Sequence, residues 1–194
     1  MSDIGVDAAK TGALISERVV ETVATFFEEH PVPLVVDPVI VASTGRRLLD
    51  DEGVDALKAR LFPLATVITP NLREAELLAG RPASPGELSE LLVAQGACAV
   101  LITGGHEPLR DTVVDHLYDG REHHEISVAR SHASATHGSG CTHSAVLAAE
   151  LAKGNALVDA ARTAAVRTAA AIAAGFADIG RGTGPVNILH TSES

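Results

Sequence analysis

Thr66-Val67-Ile68-Thr69-Pro70-Asn71-Leu72-Arg73-Glu74-Ala75-Glu76 carries a strand, a turn and a helix start in one short stretch. Thr66 to Thr69 reads as a strand, and a helix opens near Asn71. Asn71 suits an N-cap, because its side-chain oxygen can accept a free amide of the first helical turn. Glu74, three residues on, can return the bond and complete a capping box. The same two side chains also stand at the carboxyl end of a strand, where an open parallel sheet binds its ligands. Spacing alone leaves both roles open.

Outward from this unit the chain repeats its rhythm. On the amino-terminal side, Ser16 is placed to cap a helix whose stripe is Val19, Val20, Val23, Phe26 and Phe27, ended by His30-Pro31. Leu34-Val35-Val36-Asp37 is apolar without alternation, the pattern of a strand covered on both faces. A helix from about Asp51 to Leu61 links it to Thr66. On the carboxyl-terminal side, Ser84-Pro85-Gly86-Glu87 is a capping box with proline at the first helical position, and Cys98 to Ile102 follows as another buried strand. Alternation over Thr112–Tyr118 and His123–Val128 around Asp119-Gly120 predicts an antiparallel hairpin at the sheet edge. Two Ala-rich helices close the chain, Ser139 to Lys153 and about Ala156 to Phe176. The expected fold class is α/β, a three-layer, open, mostly parallel sheet with helices on both faces and an antiparallel edge hairpin. With 194 residues and no repeat or linker, one domain over 1–194 is expected.

Composition narrows the function. Asp and Glu outnumber Lys and Arg by 25 to 15, the net charge is −10, and no basic stripe occurs, so nucleic acid and anionic membrane are not expected as partners. Aromatic residues make up only 3%, so the core must be built from Val, Leu, Ile and Ala. Cys98 and Cys141 have neither metal-type spacing nor a disulfide framework, and Cys98 reads as a buried strand residue. The longest apolar run, Ala169 to Ala177, is far shorter than a bilayer requires, and no signal peptide precedes the first element, so a cytoplasmic protein is expected. Each of the nine histidines is expected to be solvated or hydrogen-bonded rather than a zinc ligand; His137 and His143, six apart, do not share a helix face.

Chemistry concentrates at predicted strand ends: Lys10-Thr11-Gly12, Asp37-Pro38, Thr69-Pro70-Asn71 with Glu74, and Thr103-Gly104-Gly105-His106. To these the helix start His137-Gly138-Ser139-Gly140-Cys141-Thr142 is joined. Two glycines around one small residue allow close backbone approach. The first amides of the following helix are unpaired and lie at the positive end of its dipole, which suits a phosphate. A thiolate in such a first turn is favoured by the same field. A phosphate cradle and an activatable side chain in one place point to phosphoryl transfer.

These stretches, with Lys10-Thr11-Gly12-Ala13-Leu14, Asp37-Pro38-Val39, Gly104-Gly105-His106 and Gly182-x-Gly184-Pro185-Val186-Asn187, come in family order over essentially the whole chain. The chain resembles the hydroxymethylpyrimidine/phosphomethylpyrimidine kinases of thiamine biosynthesis, a branch of the ribokinase-like superfamily. The resemblance implies an ATP- and Mg²⁺-dependent kinase acting on a small pyrimidine alcohol or its phosphate; separately, an unsatisfied sheet position at the first strand leads us to expect a homodimer. The resemblance also implies an anion hole at Gly138, Ser139 and Gly140 with the Cys141 backbone, and Cys141 as the group that takes the acceptor's proton. It places Asp37 and Glu74 at the metal, Asn71, Thr103, Gly104 and Gly105 on the ATP side, and Lys10, Gly12 and Ala13 on the acceptor side. Against the family pattern, Thr103 replaces a lysine, Ala13 replaces a methionine, and a βα-containing segment that usually precedes Asp3 is not present. The related pyridoxal kinases supply one alternative acceptor, and a non-catalytic nucleotide-binding chain is an alternative of another class.

Overall fold

The computed structural model describes residues 3–42, 45–105, 111–179 and 181–189. Within them β1 (Ala9–Thr11), α1 (Glu17–Glu29), β2 (Leu34–Val36) and α2 (Asp51–Ala56) come first, α2 running on through a π turn at Leu57–Leu61 and a 3₁₀ turn at Phe62–Leu64. Then follow β3 (Val67–Ile68), α3 (Leu72–Ala79), α4 (Pro85–Ala94) and β4 (Val100–Ile102). The hairpin β5 (Thr112–Tyr118) and β6 (His123–Ala129) and the helices α5 (Ser139–Ala152) and α6 (Leu157–Ala173) complete the order. Six strands form one sheet in the order β1-β2-β3-β4-β5-β6. β1 to β4 pair in parallel, and β5 and β6 add antiparallel at the edge, with Thr112 opposite Ala129 and Tyr118 opposite His123.

Strand side chains alternate between two cores because successive residues point to opposite faces. Leu34, Val36, Ile68, Val100 and Ile102 pack with Val20, Leu57, Phe62, Leu78 and Leu92 on the face covered by α1 to α4. Val35, Val67, Leu101 and Leu117 face α5 and α6, where Ala160, Ala161 and Ala164 let the helices lie close to the sheet. Helices on both faces of a mostly parallel sheet are the expected architecture.

Local chemistry explains the element boundaries. Asn71 and Glu74 form the reciprocal capping box that starts α3, which ends at Gly80 in the left-handed conformation (φ 78°). Ser84 and Glu87 do the same for α4. In α1 the buried stripe is rotated from its expected position. Val20 and Ala24 are fully buried, whereas Val19 and Phe26 are exposed and Ser16 makes no side-chain cap bond. Val23 and Phe27 still pack against the core, and Phe26 turns outward to stack on His30 at 4.6 Å. Cys98 also departs from expectation. The strand begins only at Val100, and Cys98 is exposed in the turn before it. Among the described residues no helix is long and apolar enough to cross a membrane.

Candidate active site

The strand order carries Asp37, Thr69 and Thr103 to the carboxyl ends of neighbouring parallel strands, and α5 starts over the same edge. A cleft of about 760 Å³ opens there. Asp37, Asn71, Glu74 and Thr103 to Gly105 line one side of it, and Gly138 to Cys141 line another. Lys10, Gly12 and Ala13 are not among its lining residues. Lys10 still reaches the site, its Nζ lying 3.5 Å from Asp37 Oδ2. A Cβ at Gly12 would lie 3.6 Å from the same ammonium, while Ala13 faces solvent. His106 lies outside the described residues.

The amino end of α5 begins with a tight glycine turn at the cleft. Gly138 is its N-cap with φ 85°, a conformation that favours glycine, and its carbonyl accepts both the amide and the hydroxyl of Thr142, at 2.9 and 2.8 Å. The Ser139 amide is turned back to the Thr136 carbonyl at 3.2 Å. The amides of Gly140 and Cys141 have no partner among the described residues, and the Cys141 side chain is exposed at the cleft. The carboxyl-terminal segment holds this turn in place, His137 bonding to Gly184 (N–H···O 3.0 Å) and Val186 to His137 (3.1 Å). Gly184 cannot be larger, because a Cβ there would lie 1.9 Å from the Phe176 carbonyl oxygen.

Two buried carboxylates face the cleft. Asp37 Oδ2 accepts from Ser144 Oγ at 2.9 Å as well as from Lys10. Glu74 accepts the Ile40 amide on Oε1 (3.2 Å) and the Asn71 amide on Oε2 (3.0 Å). Burial lifts the Glu74 carboxyl from its ordinary 4.5 to about 7; the two amides oppose the shift and the negative charge of Asp37 adds to it. Nearby, the Thr69 hydroxyl is buried without a partner among the described residues. An oxygen-rich pocket with an unpaired hydroxyl and a carboxyl held partly protonated fits a hard divalent cation, whose charge would relieve both strains.

On the same side, Thr103 bonds to Pro70 (N–H···O 3.0 Å), Gly105 has φ 103°, and its carbonyl accepts from Arg130 at 3.1 Å. Sequence reasoning missed the residues that brace these walls: Ser144 on Asp37, and Asp115 with His143. The available signal was Asp115 itself, a charged side chain in phase with buried Leu117 along β5.

Unpaired helix amides, an accessible thiol and paired carboxylates at the edge of an α/β sheet define a class of protein, the ribokinase-like phosphotransferases. The chain belongs to the phosphomethylpyrimidine kinase family, whose model matches residues 1–187. It is 42% identical over 191 residues to the hydroxymethylpyrimidine/phosphomethylpyrimidine kinase of Streptomyces coelicolor, spanning 96% of this chain and 70% of that protein. Among solved structures, the ADP complex of Bacillus subtilis pyridoxal kinase superposes with a TM-score of 0.87 at 38% identity, covering 96% of this chain and 72% of that one. The Staphylococcus aureus pyridoxal kinase with AMP-PCP gives a TM-score of 0.88 at 32% identity, covering 97% and 70%.

Proposed function

We propose that this chain transfers the γ-phosphoryl group of ATP to hydroxymethylpyrimidine or its monophosphate, in the cytoplasm and as a homodimer. The observation that carries the reading is the meeting of the free Gly140 and Cys141 amides with the exposed Cys141 thiol at one cleft wall. The geometry supports a division of labour. The Sγ of Cys141, as thiolate, accepts the proton of the hydroxymethyl group as its oxygen attacks the γ-phosphorus, and the β–γ bridging oxygen departs with ADP. The α5 amides then stabilise the transferred group, whose equatorial oxygens carry the negative charge. Asp37 and Glu74 would hold Mg²⁺, directly or through water, and the bound ion would offset charge on the triphosphate. Asn71 and the Thr103–Gly105 loop would seat the nucleotide, and Lys10 would reach the acceptor side from Asp37.

The pyridoxal kinases among the structural neighbours favour a second reading, phosphorylation of a pyridine alcohol at the same site. ADP release measured with each alcohol separates the two, with faster turnover expected on the pyrimidine. Faster turnover on pyridoxal would replace the acceptor. Nucleotide binding by calorimetry with no turnover on either would leave a nucleotide-binding protein only.

A further inference from the structure

The chemistry above makes no use of Asp115, a buried carboxylate that joins two walls of the cleft. Its Oδ1 accepts the Gly104 amide at 2.8 Å, and its Oδ2 accepts from His143 Nε2 at 3.1 Å. The side chains of Asp115 and His143 are each only 6% exposed. With the carboxylate as acceptor, the imidazole presents its proton on Nε2, leaving Nδ1 buried with no partner among the described residues. Among the described residues the ring therefore makes a single polar contact, and that contact is to Asp115.

Its neighbour Ser144 donates to Asp37 at 2.9 Å. Consecutive helical residues project about 100° apart, so this pair braces the first turns of α5 against two separate parts of the sheet. On the other wall Gly104 is pressed onto β5, where a Cβ would lie 2.2 Å from the Val114 carbonyl oxygen. One carboxylate thus receives both the loop on the nucleotide wall and the helix that carries the unpaired amides.

We infer that His143 is a positioning residue: through Asp115 it fixes the amino end of α5 against the Thr103–Gly105 loop. The inference rests on the proposed reading of those two elements as the phosphoryl and nucleotide sides. Transfer between them tolerates little misplacement, because the donors must meet charge that develops at a defined point.

The test uses the full chain with His143→Leu, which removes the bond, and His143→Gln, whose amide nitrogen can restore it. His143→Leu is expected to lower kcat about tenfold and weaken AMP-PCP binding severalfold, leaving the acceptor KM within about twofold. His143→Gln is expected to recover most of both losses, and Asp115→Asn combined with His143→Leu should cost less than the two separate losses together. Parental kcat and AMP-PCP affinity in His143→Leu would overturn the inference, as would a Gln variant as impaired as the Leu one. Should the parental chain show no turnover, the proposed activity fails, while AMP-PCP calorimetry on the same variants still decides the role of His143.

Discussion

Glu74 shows how one side chain can serve the fold and the site together. It closes the capping box of α3 and bonds the Ile40 amide, yet burial and the nearby Asp37 hold its carboxyl near 7. A folded-state pKa raised from 4.5 to about 7 favours the protonated form. The stability linked to it is complete below the unfolded value and is lost as pH rises through 7, amounting to roughly 3 kcal/mol for a shift of this size. Thermal unfolding without added metal should therefore show a melting temperature that falls from pH 5 to pH 8, and Glu74→Gln should flatten that fall. Added Mg²⁺ should raise the melting temperature more at pH 8 than at pH 5, since a cation favours the ionised carboxylate. An identical pH slope in the variant would locate the titration elsewhere. The spacing of Asn71 and Glu74 left cap and site as alternatives; the structure shows the cap and brings both residues to the cleft. Cys98 was misread because an apolar run does not show where its strand begins.

At the scale of elements, turn and cap chemistry was the most legible part of the chain. The Ser84–Glu87 box, the Asp119-Gly120 hairpin and the helix at Gly138 all stand where short-range signals put them. What was not legible depends on neighbours far away in sequence. Which side of α1 is buried depends on the α2 segment it packs against, and the π turn after α2 inserts a shift that no simple period encodes. Asp115 and His143 are 28 positions apart, and no local pattern pairs them. The carboxyl-terminal segment yields a direct prediction. Gly184→Ala would drive a Cβ into the Phe176 carbonyl, so the segment must move away from His137 and the turn before α5. Turnover should fall at least tenfold while AMP-PCP binding, proposed to rest on the Thr103–Gly105 loop, changes less. Parental turnover in this variant would show that the segment does not hold the site.

Over the whole molecule, the alternation of strands and helices revealed the layered α/β architecture, because each βα unit repeats the same covered strand and amphipathic helix. Among the described residues β1 pairs only with β2, and Ile4, Val6, Ile15 and Val19 near it in the chain are exposed. An open edge flanked by apolar side chains favours self-pairing. Light scattering over a concentration series should show a dimer that dissociates on dilution, and Val6→Lys should weaken it. A monodisperse monomer at high concentration would contradict the proposed homodimer.

The proposed phosphoryl transfer turns on the thiol beside the unpaired amides of α5. ADP release driven by hydroxymethylpyrimidine, compared between the parental chain and Cys141→Ala with AMP-PCP affinity measured alongside, tests it directly. A loss of about 10²-fold in turnover with unchanged AMP-PCP affinity is the expected result. Near-parental turnover in Cys141→Ala would remove Cys141 from the mechanism and contradict the account.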